Sequence, residues 1–180
     1  RASQTRAVFK LDAWHARYLP VLAQAFPDVP WVFLWRDAVE ILVSHMRTMS
    51  YMLSAANAPA ALGIPVTEAI RVPREEYAAR VLAEILDAVE RSSLAPSRMI
   101  DYRELPEAIW ERIGPAFGIA FTEREIARIR EAAAFHAKRP QLPFWADSEE
   151  KQAQASPEIH AAAERWLLPR YRRLEAMHGQ

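Results

Sequence analysis

The sequence predicts an α/β protein in which helices cover a small parallel sheet. Three observations carry that expectation. Two short apolar runs near the start, rich in aromatic and β-branched residues, have the nearly continuous hydrophobicity of strands covered on both faces. A helically spaced segment lies between them. After residue 74 the apolar residues recur at intervals of three and four, which is the period of amphipathic helices.

The first run is AVFKL (Ala7 to Leu11) and the second WVFLW (Trp31 to Trp35). Between them Trp14, Tyr18, Leu22 and Ala25 recur at helical spacing, and Pro20 must fall in an early turn or bend the helix. Strand, helix, strand is a βαβ unit, so these two strands are expected to be parallel with a right-handed crossover. RMIDY (Arg98 to Tyr102) is a third strand candidate.

A helix should follow Trp35 directly. Asp37 and Glu40 form a D-x-x-E start signal, the first carboxylate capping free N–H groups and the second standing in the positive end of the dipole. Ser54 to Pro73 is rich in proline without sustained period and reads as a long loop, of the kind that forms lids or binding loops. Tyr77, Val81, Ile85 and Val89 make one helical stripe; Ile126, Ile129 and Ala133 make another, opened by a capping box from Thr122 to Glu125. The last helix should start with Ser156 as cap and Pro157 as first residue, and Pro169 should kink or end it.

The 180 residues, 51% of them hydrophobic, suffice for one ordinary core, so a single domain over residues 1–180 is expected. Basic and acidic residues balance at 23 each, with no like-charge block of the kind that binds nucleic acid. Cysteine is absent, which excludes disulfides, iron–sulfur clusters and thiolate zinc sites, and no apolar run reaches the roughly 18 residues of a membrane span. These features predict a cytoplasmic protein without membrane or nucleic-acid partners. The chain opens at Arg1 with neither methionine nor the apolar stretch of a signal peptide, so an upstream portion is expected.

In open parallel sheets ligands bind at the carboxyl ends of strands, where the next helix N-terminus offers N–H groups and a positive dipole end to a phosphate. Arg36 stands at that point and can grip a phosphate by two charge-assisted bonds; Ser44 shares a helix face with Asp37 and can add a hydroxyl. The architectural alternative pairs Arg36 with a carboxylate such as Glu40 and returns Ser44 to its own helix. His45, His136, His160 and His178 show no metal-ligand spacing, and the six tryptophans are not interleaved with basic residues, so they read as packing.

The run FKLDAWHARYLPVLAQAFPDVPWVFLWRDAVEILVS resembles the cofactor-binding core of sulfotransferases, in which a strand ends in an arginine and a serine follows eight residues later. The resemblance implies a P-loop NTPase-like, three-layer fold. It also implies that Arg36 and Ser44 hold the 3′-phosphate of the sulfuryl donor 3′-phosphoadenosine 5′-phosphosulfate. IDYRELP is similar to the family's Y-x-x-L segment, which gives Tyr102 the adenine; packing on the core is the alternative. FHAKRPQLPFWADSEEK looks like the late basic segment of bacterial members, so Lys138 or Arg139 would reach the 3′-phosphate, whereas a solvated pair at a helix end explains them equally well. Members often carry a lysine and then a histidine that takes the acceptor's proton. Here Lys10 is followed by Asp12, in the more faithful position, and His15, whose ordinary pKa suits a base near neutrality. The acceptor would be a hydroxyl or amine of a small molecule or glycan.

The family's loop that cradles the 5′-phosphosulfate needs small residues. None of Gly63, Gly114, Gly118 and Gly179 stands in a strand–loop–helix context before Lys10, so the resemblance covers the downstream part of that domain. An incomplete sheet of this kind is expected to be poorly stable or to pair with another chain, a homo-oligomer being one form. Two further readings follow: a non-catalytic nucleotide-binding or regulatory module of the same fold, and another nucleotide-dependent transferase such as a kinase, although no G-x-x-x-x-G-K-[ST] occurs.

Overall fold

A computed structural model describes residues 6–48, 65–92, 99–136 and 139–178. The described residues form a mixed α/β structure dominated by helices, with a two-stranded parallel sheet and an antiparallel hairpin. A 3₁₀ turn over Ala13–Tyr18 runs into α1 (Leu19–Ala25), with Pro20 in the first turn, where its missing N–H costs nothing. β1 (Phe33–Trp35) is followed by α2 (Ala38–Arg47), capped by Asp37 as its sequence requires. Of the loop expected over Ser54 to Pro73, residues 54–64 lie outside the described residues, and Val66–Ala69 form a single helical turn.

α3 (Arg74–Arg91) buries the stripe of Tyr77, Val81, Ile85 and Val89. β2 (Met99–Asp101) then pairs with β1 in parallel, Phe33 opposite Met99, Leu34 opposite Ile100 and Trp35 opposite Asp101. α4 (Glu123–Ala133) begins with the expected Thr122–Glu125 capping box, both of its reciprocal bonds being made. β3 (Phe135–His136) and β4 (Arg139–Pro143) form the hairpin, which the sequence did not announce. α5 (Ser148–Gln154) leads to α6 (Pro157–Ala162), capped by Ser156, then a π turn over Ala163–Leu167 and α7 (Leu168–His178).

The expected βαβ unit is corrected. Ala7 to Leu11 form no strand: the segment is exposed, with Phe9 83% accessible, and Arg6 donates to the carbonyl of Gly118 at 2.7 Å. Its apolar pattern suits a strand, but a strand exists only where a neighbour supplies a ladder. The parallel partner of β1 is instead β2, its paired residues 66 positions downstream, and the crossover runs through α2 and α3. Where Pro169 was expected to kink or end the last helix, regular winding gives way to the π turn just before it and resumes as α7 with Pro169 in the first turn.

The core lies where α2, α3 and the α6–α7 rod meet the inner face of the sheet; Leu42, Val89, Met99, Leu167 and Leu174 are fully buried there. Trp35 points the same way and its ring lies 5.3 Å from that of Tyr171. The other side of β1 is open, with Leu34 47% exposed, where a strand covered on both faces was expected.

Gly114 marks a tight approach. A β-carbon there would stand 2.6 Å from Phe121 Cε2 and 2.9 Å from the carbonyl oxygen of Ile119. The ring can shift but the backbone oxygen cannot shift freely, so Gly114→Ala is expected to lower stability by about 2 kcal/mol in urea unfolding, typical of over-packing. An unchanged midpoint would contradict this account of the close approach at Gly114.

Candidate functional site

The register of β1 and β2 builds the site. Because Trp35 faces Asp101, the residues that follow them, Arg36 and Tyr102, leave neighbouring strand ends side by side. The Arg36 guanidinium lies over the Tyr102 ring, 4.7 Å from its centroid, a cation–π contact on a half-buried tyrosine. Sequence reading assigned both residues to one site, and the fold does bring them together.

The chain turns at Asp37, whose carboxylate accepts from the N–H groups of Val39 and Glu40 at 3.0 Å each, and from Gln152 Nε2 at 2.9 Å. Those two N–H groups are therefore engaged by Asp37 rather than turned toward a ligand. Beyond it, α5 lies along α2: Arg47 donates through Nη2 to Glu150 at 2.8 Å and through Nε to Gln154 at 2.9 Å.

Arg36 is held between two carboxylates. Its Nε donates to Glu40 Oε2 at 2.5 Å and its Nη2 to Asp147 Oδ1 at 2.7 Å. The second oxygen of Asp147 receives Lys151 Nζ at 2.8 Å. Glu40 and Lys151 are buried, Arg36 and Asp147 partly so, giving an alternating row of charges from Glu40 through Arg36 and Asp147 to Lys151. The architectural pairing of Arg36 with Glu40 is thus present, together with a carboxylate 111 residues away.

Burial alone would lower the Arg36 pKa, but its bonds to Asp147 and Glu40 outweigh burial and raise it. Burial pushes the Asp147 carboxyl up, and its bonds to Lys151 and Arg36 more than reverse this, leaving it below the ordinary aspartate value. A folded-state pKa below the unfolded one means that protons favour the unfolded chain. The stabilisation is complete above the unfolded value of about 3.9 and is lost as pH falls through the depressed one. Since Asp147 is 31% exposed, solvent limits the effect to about 0.5–1 kcal/mol. Between pH 5 and pH 2.5 the thermal midpoint of the wild type should fall more than that of Asp147→Asn; parallel curves would refute it.

Behind the row, Tyr171 is buried against Trp35, and burial, with the Asp37 and Asp101 carboxylates nearby, pushes its phenol strongly up. Asp101 caps the turn after β2, accepting from the Arg103 N–H at 2.8 Å, and takes the Arg103 guanidinium on both oxygens.

The other sequence-assigned residues are spread more widely. Ser44 is exposed on α2, and its carbonyl accepts from the Thr48 N–H. Lys138 lies outside the described residues, and Arg139 opens β4. Lys10 and Asp12 are exposed. His15 stacks on Trp14 with ring centroids 4.0 Å apart, its Nδ1 3.1 Å from the Asp12 carbonyl oxygen. Among the described residues no hydrogen bond or ring contact joins these three to Arg36 or Tyr102.

Sequence reasoning missed Asp147 and Lys151. Their signal was legible as an acid followed by a base four residues later, opening a helix in FWADSEEK, the spacing that puts both on one face. Comparison of the chain with protein-family models, with curated proteins and with solved structures found no match.

Proposed function

We propose that the protein is a sulfotransferase of P-loop NTPase-like architecture that moves a sulfuryl group from 3′-phosphoadenosine 5′-phosphosulfate to a hydroxyl or amine of a small molecule or glycan. The observation that carries the reading is Arg36 stacked on Tyr102 at adjacent parallel strand ends while already holding two oxyanions. That is where open α/β sheets bind ligands, and an arginine fork that grips carboxylates suits a phosphate equally. Tyr102 offers a planar face or edge to a purine, Arg36 taking one side of its ring.

The donor supplies a sulfur already bonded to a good leaving group. The acceptor oxygen or nitrogen attacks that sulfur in line, the bond from sulfur to the bridging phosphate oxygen breaks, and adenosine 3′,5′-bisphosphate leaves with the electron pair. His15 or Asp12 accepts the acceptor's proton, Lys10 offsets charge on the transferring group, and Arg36 with Ser44, aided by Lys138 or Arg139, anchors the 3′-phosphate.

A second reading, a nucleotide-binding module without catalysis, is favoured by a specific observation. Lys10 and Asp12 are exposed, and among the described residues no hydrogen bond joins either of them or His15 to Arg36 or Tyr102. Calorimetric titration with adenosine 3′,5′-bisphosphate, and separately with ATP, tests the site. Binding of the bisphosphate that vanishes in Arg36→Ala supports it, while preference for ATP, or no binding by folded protein, would sink it. Transfer of labelled sulfate from the donor to a panel of alcohols and amines then separates enzyme from module.

A further inference from the structure

The α5 helix begins with an aspartate that does not cap it. Asp147 stands at the capping position, yet its side chain makes no hydrogen bond to the first N–H groups of the helix. Both carboxylate oxygens are turned the other way, Oδ1 to Arg36 at 2.7 Å and Oδ2 to Lys151 at 2.8 Å. One small anion therefore bridges two cations that come from different elements, and those cations differ in setting. Lys151 is buried, at 5% exposure, while Asp147 stands at the rim of the row with its side chain 31% open to water.

A buried ammonium demands an anion, because taking it out of water without one costs several kcal/mol. The anion at the rim is the replaceable member of the set. We infer that Lys151 is a second anion-binding residue of the Arg36 site and that Asp147 is a tethered occupant, which a phosphate monoester displaces to bridge Arg36 and Lys151 in its place.

The chemistry fits. A phosphate monoester presents several equivalent oxygens and a larger charge than a carboxylate, so it can satisfy the guanidinium and the ammonium together. Glu40 stays on Arg36 Nε and keeps that guanidinium in position during the exchange. Asp147 leaves by rotating toward solvent, and because it does not cap α5 its departure breaks no hydrogen bond from its carboxylate to that helix start. A free phosphate then competes with a carboxylate whose local concentration is fixed by the chain, which lowers the apparent affinity of the site.

This inference rests on the nucleotide-phosphate reading of the Arg36 site, and the experiment separates the two. Asp147→Asn, with Asp147→Ser as a second variant should the first unfold, is titrated with adenosine 3′,5′-bisphosphate beside the wild type, each checked for folding by thermal melting. The expected result is about tenfold tighter binding in the variant, and loss of that gain when Lys151→Met is added. If the wild type binds in an Arg36-dependent way but the Asp147 variants bind equally or more weakly, the tethered-occupant inference is overturned and the nucleotide reading stands. If neither folded protein binds, both fall.

Discussion

Arg36→Ala is expected to remove bisphosphate binding, by about 100-fold or more, and to destabilise the protein at the same time. The two effects have one origin. Glu40 is buried and has its ion pair with Arg36, so the truncation leaves a carboxylate in the interior without that cation. Breaking a fully buried pair costs about 3–5 kcal/mol, and since Arg36 keeps one fifth of its side chain in water the expected loss is about 2–3 kcal/mol. Asp147 retains Lys151 and adds little to the damage. Substituting methionine at both Arg36 and Glu40 should restore most of the stability and none of the binding. Urea unfolding and calorimetry on the single and double variants check both halves; a double variant no more stable than Arg36→Ala would show that the pair is not the cause.

Leu42→Ala should be the most damaging core change, at about 3–4 kcal/mol. Leu42 is fully buried in the core on α2, which packs against α3, α6 and the π turn that follows α6. Because α2 carries Asp37 and Glu40 and follows Arg36 directly, loosening it also shifts the charged row. The measurable signature is a lower urea midpoint with slope unchanged, together with weaker ligand binding. A loss under 1 kcal/mol would mean that the core collapses around the cavity and that α2 is not rigidly seated.

What the sequence disclosed depends on how local each cause is. Asp37, Thr122 and Ser156 act on N–H groups within three residues, and each caps the helix it was expected to cap. The stripe on α3 needed only its own period. Ala7 to Leu11 failed because pattern makes a segment fit for a strand while pairing must be supplied from elsewhere, and here Arg6 instead reaches Gly118, 112 residues away. Pro169 marked an interruption of the last helix but not its form, since nothing in the composition of Ala163–Leu167 announces a π turn. At the site, Arg36 and Tyr102 were legible one at a time, and their meeting follows from the β1–β2 register. The partnership of Arg36 with Asp147 is tertiary, and only the spacing of Asp147 and Lys151 hinted at it.

The π turn has a consequence for how the chain tolerates insertions and deletions. It spends one more residue per turn than an α-helix, so removing a single residue from Ala163–Leu167 would restore regular winding without a break. The extra residue is taken up within that turn, so the residues after the deletion would keep their phase, Tyr171 staying on Trp35 and Leu174 in the interior. The same deletion made in α7 ahead of Tyr171 would act as a phase error, because each residue of an α-helix advances by about 100° and the face that closes the core would turn toward water. Ala163–Leu167 is thus a place where the rod can lose a residue and keep its register with the core.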